Sequence, residues 1–317
     1  ERSGALEIEE ATPDALGAGD LDVCLFSVGT QLSRDLVPAA AAAGALCVDK
    51  SSAFRLQPGI PLVVPEVNGE RALEHDGIVA NPNCCTIPLT MVLAPLRDAA
   101  GLRRVRVATY QSVSGAGGKG VRELTEQVEK LHGMEDDLAN PDPAALPVGE
   151  VFRKTIAYNV VAKIDVFDEE TGFTFEEIKV QREGRRILSL PSLDISATCV
   201  RVPVPVGHSV SLHATFQQPL SVIEARELLS RAEGVQLRDD PADDVAIARQ
   251  LLALGCQNVV MTRGEKGALL VTGSGADEAV TVVPGLTLEN VVDSNGAGDS
   301  FNAALATALL EGKSLAD

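Results

Sequence analysis

The chain has 317 residues, 45% of them hydrophobic and 23% charged, which suffices for a buried core, excludes a disordered chain and leaves room for two domains. Its 27 Lys and Arg against 45 Asp and Glu give a formal charge of -18. Such a surface repels phosphate backbones and excludes nucleic acid and anionic membranes as partners, so an anionic ligand must be met by a few local basic residues.

Residues 22–27 read as a buried strand, and Ser33 as the cap of a helix reaching about residue 44. The Ala-rich run at 36–48 is too short to cross a bilayer, and no secretory leader is read. Residues 46–49 form a strand, and 77–80 another that leads into Asn81-Pro82-Asn83. A helix follows over 86–100, with Thr86 as its cap. Next come a strand at 104–111 and a Gly-rich turn, Gly115-Ala116-Gly117-Gly118, that opens a helix over 121–132. This is the rhythm of a parallel sheet with crossover helices. The stretch 133–149, rich in Pro, Asp and Ala, reads as a surface loop or domain crossover. Beyond it, a helix at 173–188, an antiparallel pair at 198–206 and 209–216, and a helix at 224–232 predict an α+β domain. From about 244 the texture changes to a helix at 246–254 and strands at 258–262, 267–272 and 279–283. The turn Gly296-Ala297-Gly298-Asp299 then starts a terminal helix.

Six cysteines stand at 24, 47, 84, 85, 199 and 256. None has C-x-x-C spacing, so no metal site is expected. Most lie in apolar surroundings as small hydrophobes, and a reducing cytoplasm suits them. The pair Cys84-Cys85 differs, because it sits at a strand-to-helix junction. Free N–H groups and partial positive charge at a helix start stabilise a thiolate, which could attack a carbonyl carbon. The same N–H groups could hold the resulting oxyanion. A Cys at a helix start is more often structural than catalytic, so the neighbouring segments decide. Residues 109–117 put polar side chains at the carboxyl end of a strand, where open α/β sheets bind ligands. Arg201 and His208 bracket a Val-Pro-rich strand; an Arg can grip a carboxylate in two hydrogen bonds, and a His can shuttle protons. Glu176, Glu177 and Lys179 read, by spacing alone, as a solvated helix face.

Taken together, 81–86, 109–117, Asp49-Lys50-Ser51-Ser52-Ala53-Phe54-Arg55, Val64-Pro65-Glu66-Val67-Asn68 and 196–209 resemble the aspartate-semialdehyde dehydrogenases, over about residues 1–240. The resemblance implies an α/β fold: an incomplete dinucleotide-binding parallel sheet (1–117), then an α+β substrate and dimerisation domain (118–243). It implies a homodimer and a place in lysine, methionine and threonine biosynthesis. The implied reaction is NADPH-dependent reductive dephosphorylation of L-aspartyl 4-phosphate to L-aspartate 4-semialdehyde through a Cys thioester, with release of phosphate. By the same resemblance Cys84 is the nucleophile, His208 the acid/base, and Gln111 the residue that orients the acyl intermediate. Arg201 binds the substrate carboxylate. Glu176, Glu177 and Lys179 hold the substrate amine and phosphate, and Arg55 and Asn83 contact phosphate. Ser27, Gly29, Thr30, Ser51, Ser52, Ser114 and Gly115 match cofactor positions.

Four departures from the family pattern accompany this. No Gly-rich strand–turn–helix unit precedes Glu1, so truncation or processing and weak NADPH binding are expected. Ser27-Val28-Gly29-Thr30 replaces a Gly-Gly pair. Cys85 stands where a small hydroxyl is usual. The family's C-terminal part is replaced by a segment (244–317) resembling the ribokinase, or PfkB-type, sugar kinases, on 258–268 and 291–302. That second resemblance implies an ATP and Mg site built from Thr262, Gly264, Gly267, Gly296, Ala297 and Gly298, with Asp299 as base. A chain joined from fragments of two families is therefore expected, without detectable aspartyl phosphate reduction as it stands, and the alternatives are an ATP-dependent sugar kinase or an inactive chimera.

Overall fold

Parallel pairing organises the first part of the chain. In the computed structural model, β1 (Val23–Phe26), β2 (Leu46–Asp49) and β3 (Ile78–Ala80) form a three-stranded parallel sheet in that order. The structure describes residues 10–134, 138, 142, 146–237, 258–262, 268–272 and 279–283. They fall into two compact units, 1–237 and 238–317.

In the first unit, α1 (Pro13–Leu16) is capped by Thr12, and α2 (Thr30–Ala42) connects β1 to β2. The strand at 22–27 is present but not buried: Leu25 is 79% exposed, Phe26 is its one fully buried residue, and Cys24 packs partly against the core. β1 is an edge strand of this sheet, so it lacks a neighbour on one side. Ser33 is not a cap either. The helix begins three residues earlier, at the Gly29–Thr30 turn, and the buried Ser33 hydroxyl donates to Asp49 Oδ1 at 2.8 Å.

After α3 (Pro65–Asn68) and a 3-10 turn, Gly69–Glu74, the chain enters β3 and then α4 (Thr86–Ala100). β4 (Leu102–Gln111) is the centre of a second sheet, flanked by β5 (Asp194–Arg201) and β6 (Ser209–Phe216) in the order β5-β4-β6. The expected antiparallel pairing of 198–206 with 209–216 does not occur. β4 lies between the two strands, parallel to β5 and antiparallel to β6. The intervening segment cannot continue a ladder, because Pro203 and Pro205 have no N–H. It straps the end of β4 instead: Val202 N–H donates to Gln111 O, Val113 N–H to Val204 O and Ser114 N–H to Pro205 O.

A 3-10 turn, Val113–Ala116, precedes α5 (Gly118–Leu131), which starts earlier than its Gly content suggests. Gly117, at φ 77, makes the turn that no side chain favours. α6 (Phe175–Ile187) opens with a complete capping box between Thr174 and Glu177, and α7 (Val222–Arg231) with one between Ser221 and Glu224. One buried cluster joins Leu89 and Leu93 of α4 to Val105 and Val107 of β4 and Ile195 and Ala197 of β5. Each buried Leu, Val or Ile among them contributes about 1.5–3 kcal/mol.

In the second unit, β7 (Asn258–Thr262), β8 (Ala268–Thr272) and β9 (Ala279–Val283) form an antiparallel meander, with Leu269, Leu270 and Val271 buried. The expected helices at 246–254 and after 299, and the turn at 296–299, lie outside the described residues. Among the described residues no helix is long and apolar enough to cross a membrane.

Candidate active site

The two sheets of the first unit bring their functional ends to one cavity of about 670 Å³. Lys50 follows β2, Asn81–Cys84 follow β3, Gln111 and Arg201 end β4 and β5, and His208 immediately precedes β6; all of them line it. Register explains the meeting. Gln111 pairs opposite Arg201 across a parallel ladder, and Tyr110 opposite Ser209 across an antiparallel one. A chain leaving β4, one leaving β5 and one entering β6 therefore share one end of the sheet.

Asn83 shapes the turn that presents Cys84. Its Oδ1 accepts from Cys85 N–H at 2.9 Å, and its carbonyl accepts from Thr86 and Ile87 N–H at 3.0 and 3.1 Å. Asn83 thus does the capping expected of Thr86. Thr86 is the first helical residue, and its buried hydroxyl finds no partner among the described residues.

Cys84 is exposed to the cavity while Cys85 packs inward at 1% exposure. The two Sγ atoms and a ring nitrogen of His208 all lie within 4.8 Å of one another. A hydrogen bond from the Cys85 thiol brings the Cys84 thiol down to about 5, helped by the hydrogen bond and charge of His208 and opposed by burial and Glu176. The same bond holds the Cys85 thiol far above the usual range. The bond thus favours the thiolate on Cys84 and the thiol on Cys85. Burial raises Cys199 to about 12 and Cys47 to about 11, so neither competes as a nucleophile.

Ser112 orients His208. Its backbone N–H donates to Nδ1 at 3.1 Å, and its hydroxyl lies 3.0 Å from the same atom. A nitrogen that accepts a backbone N–H carries no proton, so the ring proton belongs on Nε2. The hydrogen bond to Cys84 raises the His208 pKa, with burial and the Arg201 charge opposing. Arg201 donates from Nη1 to Ser112 O at 2.6 Å and lies over the Phe152 ring, 5.7 Å from its centroid. Burial lowers its pKa.

Glu176 and Glu177 are not a solvated face: they are 7% and 8% exposed. Glu176 is a hub. Its Oε1 accepts from Asn83 Nδ2 at 2.8 Å and Gln111 Nε2 at 3.3 Å, and its Oε2 from Lys179 Nζ at 3.2 Å. Lys179 also donates to Asp165 Oδ2 at 2.9 Å. Burial would lower the Lys179 pKa, but Glu176 and Asp165 outweigh it and raise it. Glu177 does not join the cavity. Its carboxylate closes the capping box on Thr174 N–H and accepts from Cys199 N–H at 3.1 Å, behind the wall.

Arg55 lines the cavity with most of its donors committed. Nη1 donates to Glu183 Oε1, Nε to Asn81 O and Nη2 to Lys50 O, which leaves two N–H bonds free. Of the other predicted positions, Thr30, Ser52, Ser114 and Gly115 line the cavity, whereas Ser27, Gly29 and Ser51 do not. Ser27 and Gly29 are exposed beyond β1, and Ser51 donates to Asp49 Oδ2 in a buried pair. Gly264, Gly267 and Gly296, Ala297, Gly298 and Asp299 lie outside the described residues; Thr262 ends β7.

Sequence reasoning missed Glu183, Asp165 and Ser112. Glu183, 1% exposed, accepts from Arg55 and from Asn83 N–H at 2.6 Å, and so ties α6 to the Cys84 turn. Its position two turns after Glu176, on the same helix face, was the available signal.

A cysteine beside an imidazole, with cations facing a cavity at the carboxyl ends of β3, β4 and β5, is an arrangement in which an α/β fold can present a cysteine as nucleophile. The semialdehyde dehydrogenase profiles match in order, the NAD binding domain over residues 1–75 and the dimerisation domain over 93–261. Aspartate-semialdehyde dehydrogenase of Bacillus subtilis is 41% identical over 76% of this chain and 68% of its own length. That of Aquifex aeolicus is 38% identical over 92% and 79%. The solved aspartate semialdehyde dehydrogenase II of Vibrio cholerae, complexed with ASA, superposes with a TM-score of 0.63 at 36% identity, covering 71% of this chain and 68% of that one. The chain belongs to the aspartate-semialdehyde dehydrogenase family. The pfkB carbohydrate kinase profile also matches, over residues 221–317.

Proposed function

We propose that the chain catalyses reductive dephosphorylation of L-aspartyl 4-phosphate to L-aspartate 4-semialdehyde, as a homodimer in the cytoplasm and with NADPH as reductant. The observation that carries this reading is the Cys84 thiolate beside His208, in a cavity that also holds Arg201 and Lys179. The protein is acidic overall, yet four cations, Lys50, Arg55, Lys179 and Arg201, face this cavity against Asp165 and Glu176. They suit a substrate with a carboxylate at one end and a phosphate at the other.

Cys84 attacks the acyl carbon, a C–S bond forms, the C–O bond to phosphate breaks, and inorganic phosphate leaves, giving a thioester. Lys179 and the free N–H groups of Arg55 receive the phosphate, and Arg201 holds the carboxylate. Thr30, Ser52, Ser114 and Gly115 fit a nicotinamide dinucleotide. The Thr30 and Ser52 hydroxyls stand 3.0 Å apart, and a Cβ on Gly115 would come 2.9 Å from Arg201 Nη1 and 3.3 Å from His208 Cε1. Only a bare backbone leaves room there. When bound, the cofactor supplies the hydride that reduces the acyl carbon. His208 gives its Nε2 proton to the oxygen that becomes charged, takes it back as the C–S bond breaks, and so returns Cys84 as thiolate. Gln111, fixed by Thr109 Oγ1 at 3.2 Å and by Glu176, orients the acyl group.

The test is the reverse assay, with aldehyde, phosphate and NADP supplied and nicotinamide reduction followed by absorbance. Turnover that disappears in Cys84→Ala supports the reading. Turnover that persists there, or wild-type protein inert towards this aldehyde, overturns it.

A further inference from the structure

We infer that Cys84, Cys85 and His208 form a three-donor site for a soft divalent cation, Zn²⁺ or Cd²⁺, which closes the catalytic thiol when it binds. No pattern in the sequence announces it. The cysteines are adjacent and the histidine is 123 residues beyond Cys85; the fold alone brings them together.

The geometry carries the inference. The two sulfurs and the ring nitrogen lie within 4.8 Å of one another. Donors on a tetrahedral zinc are separated by roughly 3.5–3.8 Å, as bond lengths of about 2.0–2.3 Å require, so side-chain rotations close the gap. Two thiolates and an imidazole are the donor set that soft and borderline divalent metals prefer over calcium or magnesium. Ser112 fixes the ring, with its N–H and its hydroxyl both at Nδ1, and Nε2 serves as ligand once the ring proton moves to Nδ1, where the Ser112 hydroxyl, 3.0 Å away, accepts it in place of the backbone contact. Cys84 and His208 open on the cavity, so an ion has a way in and a fourth position remains for water. On coordination, two sulfur–metal bonds and one nitrogen–metal bond form, the Cys85 S–H proton and the His208 Nε2 proton leave to solvent, Nδ1 takes up one proton that it donates to the Ser112 hydroxyl, and no electron is transferred. The bound ion removes Cys84 as nucleophile and His208 as proton carrier together.

Cys85 separates this site from ordinary poisoning of an active-site thiol. It touches no substrate in the reading above, and the metal site does not depend on that reading. The experiment titrates the full, reduced chain with Cd²⁺ and follows the sulfur-to-cadmium charge-transfer absorbance together with binding heat. A single tight site carrying that band is expected in the wild type. Cys85→Ser and Cys85→Ala should each lose affinity by roughly tenfold or more, since removing even an outer-shell partner costs that much. Both should keep the wild-type circular-dichroism spectrum and denaturation midpoint within a small shift, which shows that the chain is still folded, and the titration is run above about pH 9 so that Cys84 is ionised in every variant. Equal Cd²⁺ affinity in wild type and in either folded Cys85 variant, or the absence of the thiolate band, would overturn the inference. If one replacement fails to fold, the other decides.

Discussion

Cys84 and Cys85 are chemically identical and one bond apart along the backbone, yet the turn made by Asn83 sends one to the cavity and the other to the core. The depressed Cys84 pKa means its thiolate is present above about pH 5 and is lost as pH falls through that value. Iodoacetamide labelling of Cys84 is therefore expected to be fast at pH 6, with Cys47 and Cys199 unlabelled. A labelling rate that rises only near the pKa of a free thiol, about 8.5, would contradict it. Cys84→Ser should abolish turnover, whereas Cys85→Ser should retain it in metal-free buffer. In the role proposed for it Arg201 would grip the carboxylate with a planar fork, so Arg201→Lys should raise KM despite keeping the charge. An unchanged KM would mark Arg201 as structural. Glu183 is a buried charge held by Arg55 and Asn83 N–H, and burial raises its pKa against that cation. Glu183→Ala leaves Arg55 buried without its partner and should cost about 3–5 kcal/mol in a denaturant titration.

At the scale of elements, α6 and α5 build the site from outside. α6 delivers Glu176, Lys179 and Glu183 from one helix, and its first turn is fixed by the Thr174–Glu177 capping box. Thr174→Ala should destabilise by about 1 kcal/mol and loosen Glu176 with it. α5 packs its amino end tightly against the 3-10 turn after β4. A Cβ on Gly120 would stand 2.6 Å from Val113 O and 3.0 Å from Phe152 Cζ. The carbonyl belongs to the backbone and cannot move aside cheaply. Gly120→Ala should therefore lower stability by roughly 1–3 kcal/mol, measured by chemical denaturation, even though alanine is the better helix former.

For the whole molecule, the net charge of -18 is a surface property that the cavity locally reverses. Association with an anionic substrate is then steered only over the last Debye length, about 8 Å at physiological salt. The match to a dimerisation domain at 93–261 leads to an expected mass near twice 33.2 kDa in sedimentation; a single 33.2 kDa species at micromolar concentration would refute it.

Periodicity and punctuation determined much by themselves. The bounds of β2, of α4 and of the meander strands were legible within a residue, because each is a largely apolar run that stops at a charged residue, Gly or Pro. The short motifs around Cys84, Gln111, Arg201 and His208 marked the site through their resemblance to one family. Tertiary structure decided the rest. Whether Glu176 faced water or the cavity depended on what packed over α6, and helical spacing is silent about that. The partner of β6 is β4 rather than its chain neighbour β5, since two prolines removed the N–H groups that a hairpin would need. Glu183, Asp165 and Ser112 reach the site across 14 to 100 positions of chain. Such contacts are selected by the burial of charge and the satisfaction of donors, which exist only once the sheets have closed.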